Sequence, residues 1–437
     1  MPEACRKFPA TTAVSLFCVV VKSIFAQAPD TLWTRTYGGS EHDGGYSVTQ
    51  TLDGGFIVGG DIGDWGQLIK TNALGDIAWI DTLSFALSSV LEVQQTTDGG
   101  YISVGWVAMG ELCTILTKTD STGNTSWTQH FGSGFFWAET GRSVKQTTDM
   151  GYILAGDGFE IYDPDSWAYL LKIDSLGSGQ WYLYFDTCYK GTEVRLADGG
   201  GYVAAMCLSG GGAHFVKCSS TGSIIWQKTY GTAENALASS ICSTEDQGYV
   251  ALASIPGQGL LWLLKMDSAG DTLWTQTYCP GFLAGSSKMS VRQTYDKGFI
   301  IGASNHGMYL LKTDSLGGIQ WTSTYGGSND RMGSAELTSD TGYIAVGSTI
   351  SFGAGGYDIY LLRLAPDTLG IREERVGKFV CRTFPSTILA GSLELPESKK
   401  CKVFDITGRA VDPTTLTRGI YFIEIDGVVT QKMVKVR

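Results

Sequence analysis

The chain has 437 residues, among them 58 glycines and 20 tyrosines, and a formal net charge of −11. This charge excludes nucleic-acid binding as the expected function, because that needs a basic stripe and no repeat of this chain contains one. A single hydrophobic core rarely serves so long a chain, so a series of cores built from repeats is expected.

Residues 1–26 have the pattern of a secretory signal peptide. Two basic residues precede the mostly apolar run 11–21, and small residues follow, so cleavage after Ala26 and cleavage after Ala28 both fit. The apolar run is too short to predict a transmembrane helix, and we expect no transmembrane segment elsewhere.

A unit containing one tryptophan recurs seven times through residues 30–364, at intervals of 45 to 54 residues. A period of this size is typical of propellers and solenoids. The repeated tryptophans, called the tryptophan ladder below, are Trp33, Trp79, Trp127, Trp181, Trp226, Trp274 and Trp321.

Each unit contains four runs with the composition of β-strands. In one copy these runs are SVRQT, DKGFIIGA, LLKTDSLG and WTSTYGG, within residues 290–327. An Asp and Gly turn between the first two runs is a strong hairpin signal, and its aspartate is expected to be a turn former. Four antiparallel strands per unit make one propeller blade, so the sequence predicts an all-β, seven-bladed β-propeller of four-stranded antiparallel blades.

The order of the runs predicts how the ring closes. The chain begins at residue 30 with the last run of a unit, whereas the final unit stops at LLRLAPD (361–367) with no tryptophan run after it. We predict that residues 30–37 close the last blade, whose other strands come from about residues 328–364. Such closure protects two strand edges that would otherwise promote aggregation.

Beyond a linker at residues 365–380, residues 381–437 are a different kind of sequence. Their alternating apolar positions predict a small β-sandwich domain. The pieces VFDITGR (403–409), GIYFIEI (419–425) and KMVKVR (432–437) together resemble the type A sorting domain of the bacterial type IX secretion system. This resemblance implies export by the type IX secretion machinery, removal of the domain, and release or attachment at the outer-membrane cell surface.

The cysteines indicate no shared disulfide framework, because their positions differ from blade to blade. Cys207 with Cys218, and Cys381 with Cys401, are candidate bridges. With no Cys-x-x-Cys motif and four scattered histidines, a zinc site is not expected. The sequence indicates no cofactor and no metal.

The two faces of the predicted ring differ in their connections. On one face the turns between strands 1 and 2 and between strands 3 and 4 are uniform. On the other, called the irregular face below, the turns between strands 2 and 3 and the links between blades vary, and the tryptophans outside the ladder lie there. The candidate ligand-binding residues on the irregular face are Trp65, Trp106, Trp137, Trp167, Tyr162, Glu139, Asp163 and Asp165.

Aromatic rings at these positions can stack on sugars or anchor a protein partner. The alternative is that they cap the blade ends and fill gaps, and Trp262, which aligns with Tyr309, is expected in the core. Four glutamines of the first strands are predicted either to line the central channel or to pack between blades: Gln50, Gln95, Gln146 and Gln293.

Three function classes fit the sequence. The repeat resembles Kelch-related and quinoprotein-like propellers of secreted bacterial proteins, which implies a monomeric, non-catalytic binding or adhesion module for a glycan or a surface protein. A carbohydrate-active enzyme, either a glycoside hydrolase or a lyase, is the alternative, with Glu139 and Asp163 as candidate carboxylates. The segment KTDSTGNTSW (118–127) resembles the docking repeat of pyrroloquinoline quinone propellers, so a redox quinoprotein is the third class.

Overall fold

A computed structural model shows two compact units, Met1–Ile371 and Arg372–Arg437. The predicted signal peptide, residues 1–26, lies outside the described residues. The structure describes residues 27–109, 112–132, 137–160, 166–233, 235–279, 288–367, 387–389, 401–405, 409–417, 419–425 and 428–435.

Short antiparallel strands are the main elements of the first unit, and the described residues also contain a turn of 3₁₀ helix, Pro256–Gln258. The first fourteen strands are β1 (Thr31–Tyr37), β2 (Asp43–Gln50), β3 (Phe56–Ile62), β4 (Trp65–Thr71), β5 (Ile77–Ala86), β6 (Ser88–Gln95), β7 (Tyr101–Ala108), β8 (Leu112–Thr119), β9 (Thr125–Phe131), β10 (Trp137–Gln146), β11 (Tyr152–Glu160), β12 (Ser166–Ile173), β13 (Gly179–Phe185) and β14 (Cys188–Leu196). The next fourteen are β15 (Tyr202–Leu208), β16 (Ala213–Cys218), β17 (Ile224–Tyr230), β18 (Leu237–Ser243), β19 (Tyr249–Ile255), β20 (Leu260–Met266), β21 (Thr272–Tyr278), β22 (Ser290–Gln293), β23 (Phe299–Ser304), β24 (Met308–Thr313), β25 (Ile319–Tyr325), β26 (Arg331–Leu337), β27 (Tyr343–Thr349) and β28 (Asp358–Leu364).

These strands form seven four-stranded sheets, one for each blade. Six blades take four consecutive strands each, from β2–β5 to β22–β25, and the seventh has the order β1-β28-β27-β26. In the seventh blade β1 runs antiparallel to β28, with Tyr37 opposite Ile359. The prediction of an all-β, seven-bladed propeller is confirmed.

A ring of seven hydrogen bonds joins the first strands of neighbouring blades around the channel. In every blade a Ser hydroxyl or a Glu carboxylate accepts the backbone N–H of the next blade, at donor-to-acceptor distances of 2.8 to 3.3 Å. The last bond runs from the first blade to the seventh, so the ring has no gap. The donor and acceptor pairs are Val93 and Ser47, Val144 and Glu92, Val194 and Ser143, Ile241 and Glu193, Val291 and Ser240, Ala335 and Ser290, and Val48 and Ser334.

The hydrophobic core is divided into seven clusters, each between two neighbouring blades. Every ladder tryptophan packs against a Tyr or Phe of the next blade, with ring centroids 5.6 to 6.0 Å apart. Gly123 shows how close this packing is, because a Cβ there would lie 2.9 Å from the ring of Trp79. The φ of Gly123 is also +90°, which L side chains rarely adopt. The ladder therefore joins the outer strand of each blade to the second strand of the next blade.

The aspartates of the uniform turns bind groups of their own blade, as expected of turn formers. Asp149 accepts hydrogen bonds from the Thr147 hydroxyl, from Gly151 N at 3.1 Å and from Lys172 Nζ at 3.1 Å. The Lys172 side chain is only 1% exposed. Burial opposes ionisation of Asp149, but its hydrogen bonds outweigh this and lower its pKa. Five other blades repeat the ion pair, as Asp53–Lys70, Asp98–Lys118, Asp246–Lys265, Asp296–Lys312 and Asp340–Arg363.

We expect Asp149→Ala to lower the free energy of unfolding by about 1 to 3 kcal/mol, because it leaves the buried Lys172 ammonium without its carboxylate. The fourth blade offers a matched control. Within the described residues its turn aspartate, Asp198, makes no ion pair and no hydrogen bond, so Asp198→Ala should stay within about 0.5 kcal/mol of the parent. Urea unfolding of both variants measures the difference, and equal losses would contradict this role of Asp149.

The candidate disulfide between Cys207 and Cys218 is wrong. Cys207 pairs with Ala213 and Cys218 pairs with Tyr202, so the two cysteines lie at opposite ends of the β15 and β16 ladder. Both thiols are free and buried. Burial raises the pKa of each thiol to about 11. Cys381, of the other candidate pair, lies outside the described residues.

The described strands of the second unit are β29 (Thr387–Leu389), β30 (Cys401–Asp405), β31 (Ala410–Val411), β32 (Gly419–Ile425) and β33 (Val428–Lys435). They form one five-stranded sheet with the order β29-β33-β32-β30-β31. The two runs VFDITGR and GIYFIEI contribute neighbouring antiparallel strands, and β29 runs parallel to β33. A two-layer sandwich in this unit stays a prediction, as does its sorting function.

Candidate functional site

A cavity of about 470 Å³ occupies the mouth of the central channel at the irregular face. The first strand of each blade starts at this mouth and the second strand ends there, so all seven blades reach the cavity. In blade order, one lining residue from each blade is Tyr46, Leu91, Arg142, Lys190, Ser239, Lys288 and Arg331. We call this space the mouth cavity.

Four basic side chains line the mouth cavity. Arg142 is neutralised, because its Nε and Nη2 bind the two carboxylate oxygens of Asp157. Within the described part of the chain, the other three, Lys190, Lys288 and Arg331, form no salt bridge. Lys288 Nζ donates to the carbonyl of Leu91, in the second blade, at 3.0 Å.

The other two unpaired cations, Arg331 and Lys190, have different surroundings. The Arg331 guanidinium lies over the ring of Tyr357, with its carbon 5.1 Å from the ring centroid. Lys190 is half-buried, and burial, followed by the nearby Arg142, lowers its pKa. The mouth cavity therefore carries positive charge that no carboxylate among the described residues balances within salt-bridge distance.

Two carboxylates, Asp43 and Asp61, also line the mouth cavity. Asp43 is buried, and its oxygens accept hydrogen bonds from Gly39 N at 2.7 Å and Gly63 N at 2.8 Å, so it organises the loops. Asp61 is half-buried, and the hydroxyls of Ser89 and Tyr46 lie close to it. Burial is the largest influence on Asp61 and raises its pKa to about 6, with a further contribution from the charge of Asp43.

The raised pKa of Asp61 predicts a dependence of stability on pH. A raised carboxylate pKa means that the folded protein binds a proton more tightly than the unfolded chain, so the contribution of Asp61 to stability falls as pH rises from about 4 to about 6. Asparagine does not titrate. We therefore compare the free energy of unfolding of Asp61→Asn with that of the parent at two pH values. The difference, variant minus parent, should be about 1 to 3 kcal/mol higher at pH 7.5 than at pH 4.

Urea unfolding of the parent and of Asp61→Asn at both pH values measures this difference. Asp64→Asn, which changes an exposed carboxylate of the turn that follows β3, is the matched control. The same difference in both variants would show that burial of Asp61 is not its source.

The tryptophans predicted for the site differ in their surroundings. Trp65, the first residue of β4, is 42% exposed on the irregular face. Trp106 is half-buried in β7, opposite Ser89 and Thr114. Trp167 packs against the core between the second and third blades, where a Cβ on Gly158 would lie 2.6 Å from its ring. None of the three lines the mouth cavity.

The remaining predicted site residues lie in the third blade. Trp137 begins β10 opposite Glu160, and its side chain is not among the described atoms. Tyr162, Asp163 and Asp165 lie outside the described residues. Trp262 packs against the core between the fourth and fifth blades, in agreement with its alignment with Tyr309.

Glu139 lies on β10, is 2% exposed, and does not line the mouth cavity. One of its oxygens accepts a hydrogen bond from the Tyr182 hydroxyl at 2.9 Å. Burial raises the pKa of Glu139. Among the described residues, Glu139 is thus a buried side chain of the third blade that lies outside the mouth cavity.

The inner-strand glutamines pack between blades, which decides between the two alternatives left by the sequence. Each glutamine Oε1 accepts a hydrogen bond from a turn of the preceding blade, at 2.7 to 2.8 Å. The acceptor and donor residues are Gln50 and Ser339, Gln95 and Leu52, Gln146 and Thr97, and Gln293 and Glu245.

Sequence reasoning did not single out the basic residues of the mouth cavity. They share one positional signal, since each stands one to three residues before the Ser or Glu of the channel ring. Arg142 precedes Ser143, and Lys288 lies two residues before Ser290.

No family model and no curated protein matches this chain. Among solved structures, a protein of unknown function from Bacteroides caccae is 11% identical, with a TM-score of 0.40 over 65% of this chain and 94% of its own. A protein of unknown function from Dyadobacter fermentans is also 11% identical, with a TM-score of 0.47 over 77% and 99%. The Pan2 WD40 domain of Neurospora crassa is 10% identical, with a TM-score of 0.48 over 77% and 97%.

Two further observations concern only the residues that the structure describes. No helix there has the length and hydropathy of a membrane span. No group of three or more His, Cys, Asp or Glu side chains there is arranged to hold a metal ion.

Proposed function

We propose that this protein is a non-catalytic binding or adhesion module that takes a glycan or a surface protein at the mouth cavity. The observation that carries the proposal is the cavity itself, a space of about 470 Å³ to which all seven blades contribute. Ligand sites in proteins have volumes of roughly 300 to 1,000 Å³ and combine apolar walls with a few polar groups. The exposed ring of Trp65 offers a further contact on the same face.

The carboxylates of the site favour binding over catalysis. A glycoside hydrolase needs two carboxylates that both reach the substrate. Asp43 is committed to two backbone N–H groups, and Glu139 is enclosed away from the cavity. Of the carboxylates that the structure describes at the cavity, Asp61 alone remains.

A carbohydrate-active enzyme is the second candidate, and Asp61 is the observation in its favour. Burial raises the pKa of this carboxyl to about 6, which suits a general acid near neutral pH. The test is whether the protein turns over a glycan ligand. If it does, and if Asp61→Asn loses this turnover but still binds the glycan, the enzymatic function replaces the binding function.

The binding proposal is tested with a glycan array and an overlay on bacterial surface proteins, using the full chain. Leu91→Trp places an indole in the mouth cavity and should abolish the signal. Leu316→Trp is the matched control, because Leu316 is 68% exposed on a uniform turn. Binding that survives Leu91→Trp, in a variant with an unchanged melting temperature, would place the ligand elsewhere.

We also propose export to the cell surface through residues 381–437, supported by their resemblance to type IX sorting domains. In a bacterium with this secretion system, the full chain should appear outside the outer membrane. A chain ending at residue 380 should accumulate in the periplasm. Equal export of both chains would refute the proposal.

A further inference from the structure

The mouth cavity is basic although the chain as a whole is acidic. The formal net charge is −11, yet the cavity is lined by four Arg and Lys side chains and two carboxylates. Cationic side chains held in a concave, partly buried surface concentrate the electrostatic potential there and attract anions. The excess positive charge at this one place therefore indicates an anionic ligand.

The acids near the cavity reduce this excess but do not cancel it. Asp157 neutralises Arg142, and Asp43 and Asp61 each bring one negative charge, so one of the four positive charges remains in excess when these three carboxylates are ionised. Lys288 interacts with the charge of Glu92, but Glu92 is already paired with Lys145. Lys190 and Arg331 form no salt bridge with any described carboxylate.

Among the cations, Lys190 gives the strongest indication of a bound anion, because it is partly buried and forms no salt bridge with a described carboxylate. Removing an ammonium from water is unfavourable unless an opposite charge compensates. Burial and the neighbouring Arg142 lower the pKa of Lys190, so the charged form of this side chain is destabilised in the protein without ligand. A bound anion would supply the missing charge.

The shape of the cavity indicates the end of a chain as the ligand. Lys288 extends from the sixth blade to the carbonyl of Leu91 in the second blade, so its side chain crosses the channel. Further along the first strands, ion pairs of Glu193, Arg195 and Arg292 occupy the channel. A polymer cannot pass through this obstruction, whereas a terminal unit can enter from the irregular face.

The rings beside the cations indicate a sugar. Tyr189 adjoins Lys190, and Tyr357 lies under Arg331, and both tyrosines line the cavity. Tyrosine presents a flat apolar face together with a hydroxyl, which suits the mixed apolar and polar surface of a sugar ring. A cation and an aromatic ring are thus in contact at one point of the mouth, Arg331 and Tyr357, and a second tyrosine, Tyr189, lines the cavity next to Lys190 in sequence.

We propose that the mouth cavity binds the acidic terminal unit of a glycan, a sugar that carries a carboxylate or a sulfate group. Lys190, Lys288 and Arg331 hold the anion, and Tyr189 and Tyr357 contact the sugar ring. This inference rests on the proposed binding function and specifies its ligand.

The test measures binding of the full chain to oligogalacturonate, to sulfated oligogalactose and to neutral oligogalactose of equal length by calorimetry. At least one acidic oligosaccharide should bind about 10-fold or more tightly than the neutral one, and its affinity should fall as salt is raised. Arg331→Ala and Lys288→Ala should each weaken binding about 10-fold.

Two controls remove comparable charges elsewhere. Arg35 lies over the ring of Trp33 at 5.6 Å, as Arg331 lies over Tyr357, but on the outer strand of the seventh blade. Lys228 is on an outer strand and pairs with Asp271. Arg35→Ala and Lys228→Ala should leave the affinity unchanged.

The outcomes separate this inference from the binding function. Equal binding of neutral and acidic oligosaccharides, lost in Leu91→Trp but kept in Arg331→Ala, would overturn the acidic ligand and keep the site. Binding of polyglutamate with no binding of either acidic oligosaccharide would replace the sugar with an acidic peptide. Binding unaffected by Leu91→Trp would overturn both proposals.

Discussion

Deletion of residues 30–37 should lower the melting temperature of the protein by about 10 °C or more and make it aggregate on concentration. The deletion removes β1, the outer strand of the seventh blade. Its partner β28 then presents a row of unpaired N–H and C=O groups. Exposed edges of this kind are templates for pairing with another chain.

Side-chain contacts of β1 increase the expected loss, because they also connect the seventh blade to the first. The Trp33 ring packs against Phe56 of the first blade, with centroids 5.7 Å apart. The buried Tyr37 donates its hydroxyl to the carbonyl of Gly75 at 2.6 Å. The deletion therefore removes the pairing of β1 with β28, two neighbouring strands that are far apart in sequence, and also weakens the packing between the seventh and first blades.

Calorimetry and light scattering of the deletion variant measure both effects. A synthetic peptide of residues 27–39 added in excess should restore part of the melting temperature, because it can pair with β28. The double variant Thr34→Ala, Thr36→Ala changes two exposed side chains of β1, keeps the strand, and should melt close to the parent. An unchanged melting temperature after deletion would refute the account of ring closure.

The blades were predictable from the sequence, because their signals are local. The ladder tryptophans and the Asp and Gly turns recur at a fixed distance, and each acts within one blade or on its neighbour. The channel ring was also present in the sequence, as a Ser or Glu at one position of each first strand. A serine in a strand gives no local sign that it accepts a hydrogen bond from another blade, so this role appears only in the assembled ring.

The mouth cavity was less predictable, because its residues also come together only in the assembled ring. Arg142, Lys190, Lys288 and Arg331 come from four different blades, far apart in sequence, and converge because each blade turns its first strand toward one axis. In the sequence, the tryptophans outside the ladder were the stronger candidates for a binding site, because of their residue type. Yet Trp167 packs into the core, since the absence of a side chain at Gly158 leaves room for its ring.

An ion network occupies the channel beyond the mouth cavity, and Glu193 is its centre. Glu193 stands at the ring position where five blades have serine, and it is 5% exposed. Its Oε1 lies 2.5 Å from Arg195 Nη2 and 3.0 Å from Arg292 Nη2. Its Oε2 accepts hydrogen bonds from the Ser240 hydroxyl at 2.5 Å and from Ile241 N at 3.0 Å. One carboxylate thus serves both the hydrogen-bond ring and the ion network.

Glu193→Ala should lower the free energy of unfolding by about 3 to 5 kcal/mol, the loss typical of breaking a buried ion pair by removing one partner. The variant leaves the positive charge of Arg195 and Arg292 in the channel with Glu336 alone, and it deprives Ile241 N of its acceptor.

Urea unfolding tests this expectation against two controls. Glu245→Ala removes a carboxylate that is 63% exposed and 3.7 Å from Lys297, a kind of pair worth about 1 kcal/mol at most. Glu193→Gln keeps an acceptor for Ile241 while it removes the charge, so it should lose less stability than Glu193→Ala.

Two outcomes would contradict this account. If Glu193→Ala lost no more stability than Glu245→Ala, the arginines would be adequately solvated in the channel, and the channel would be open to water rather than closed by ion pairs. A loss confined to Glu193→Ala, with Glu193→Gln close to the parent, would instead assign the stability to the hydrogen-bond ring and not to the charges.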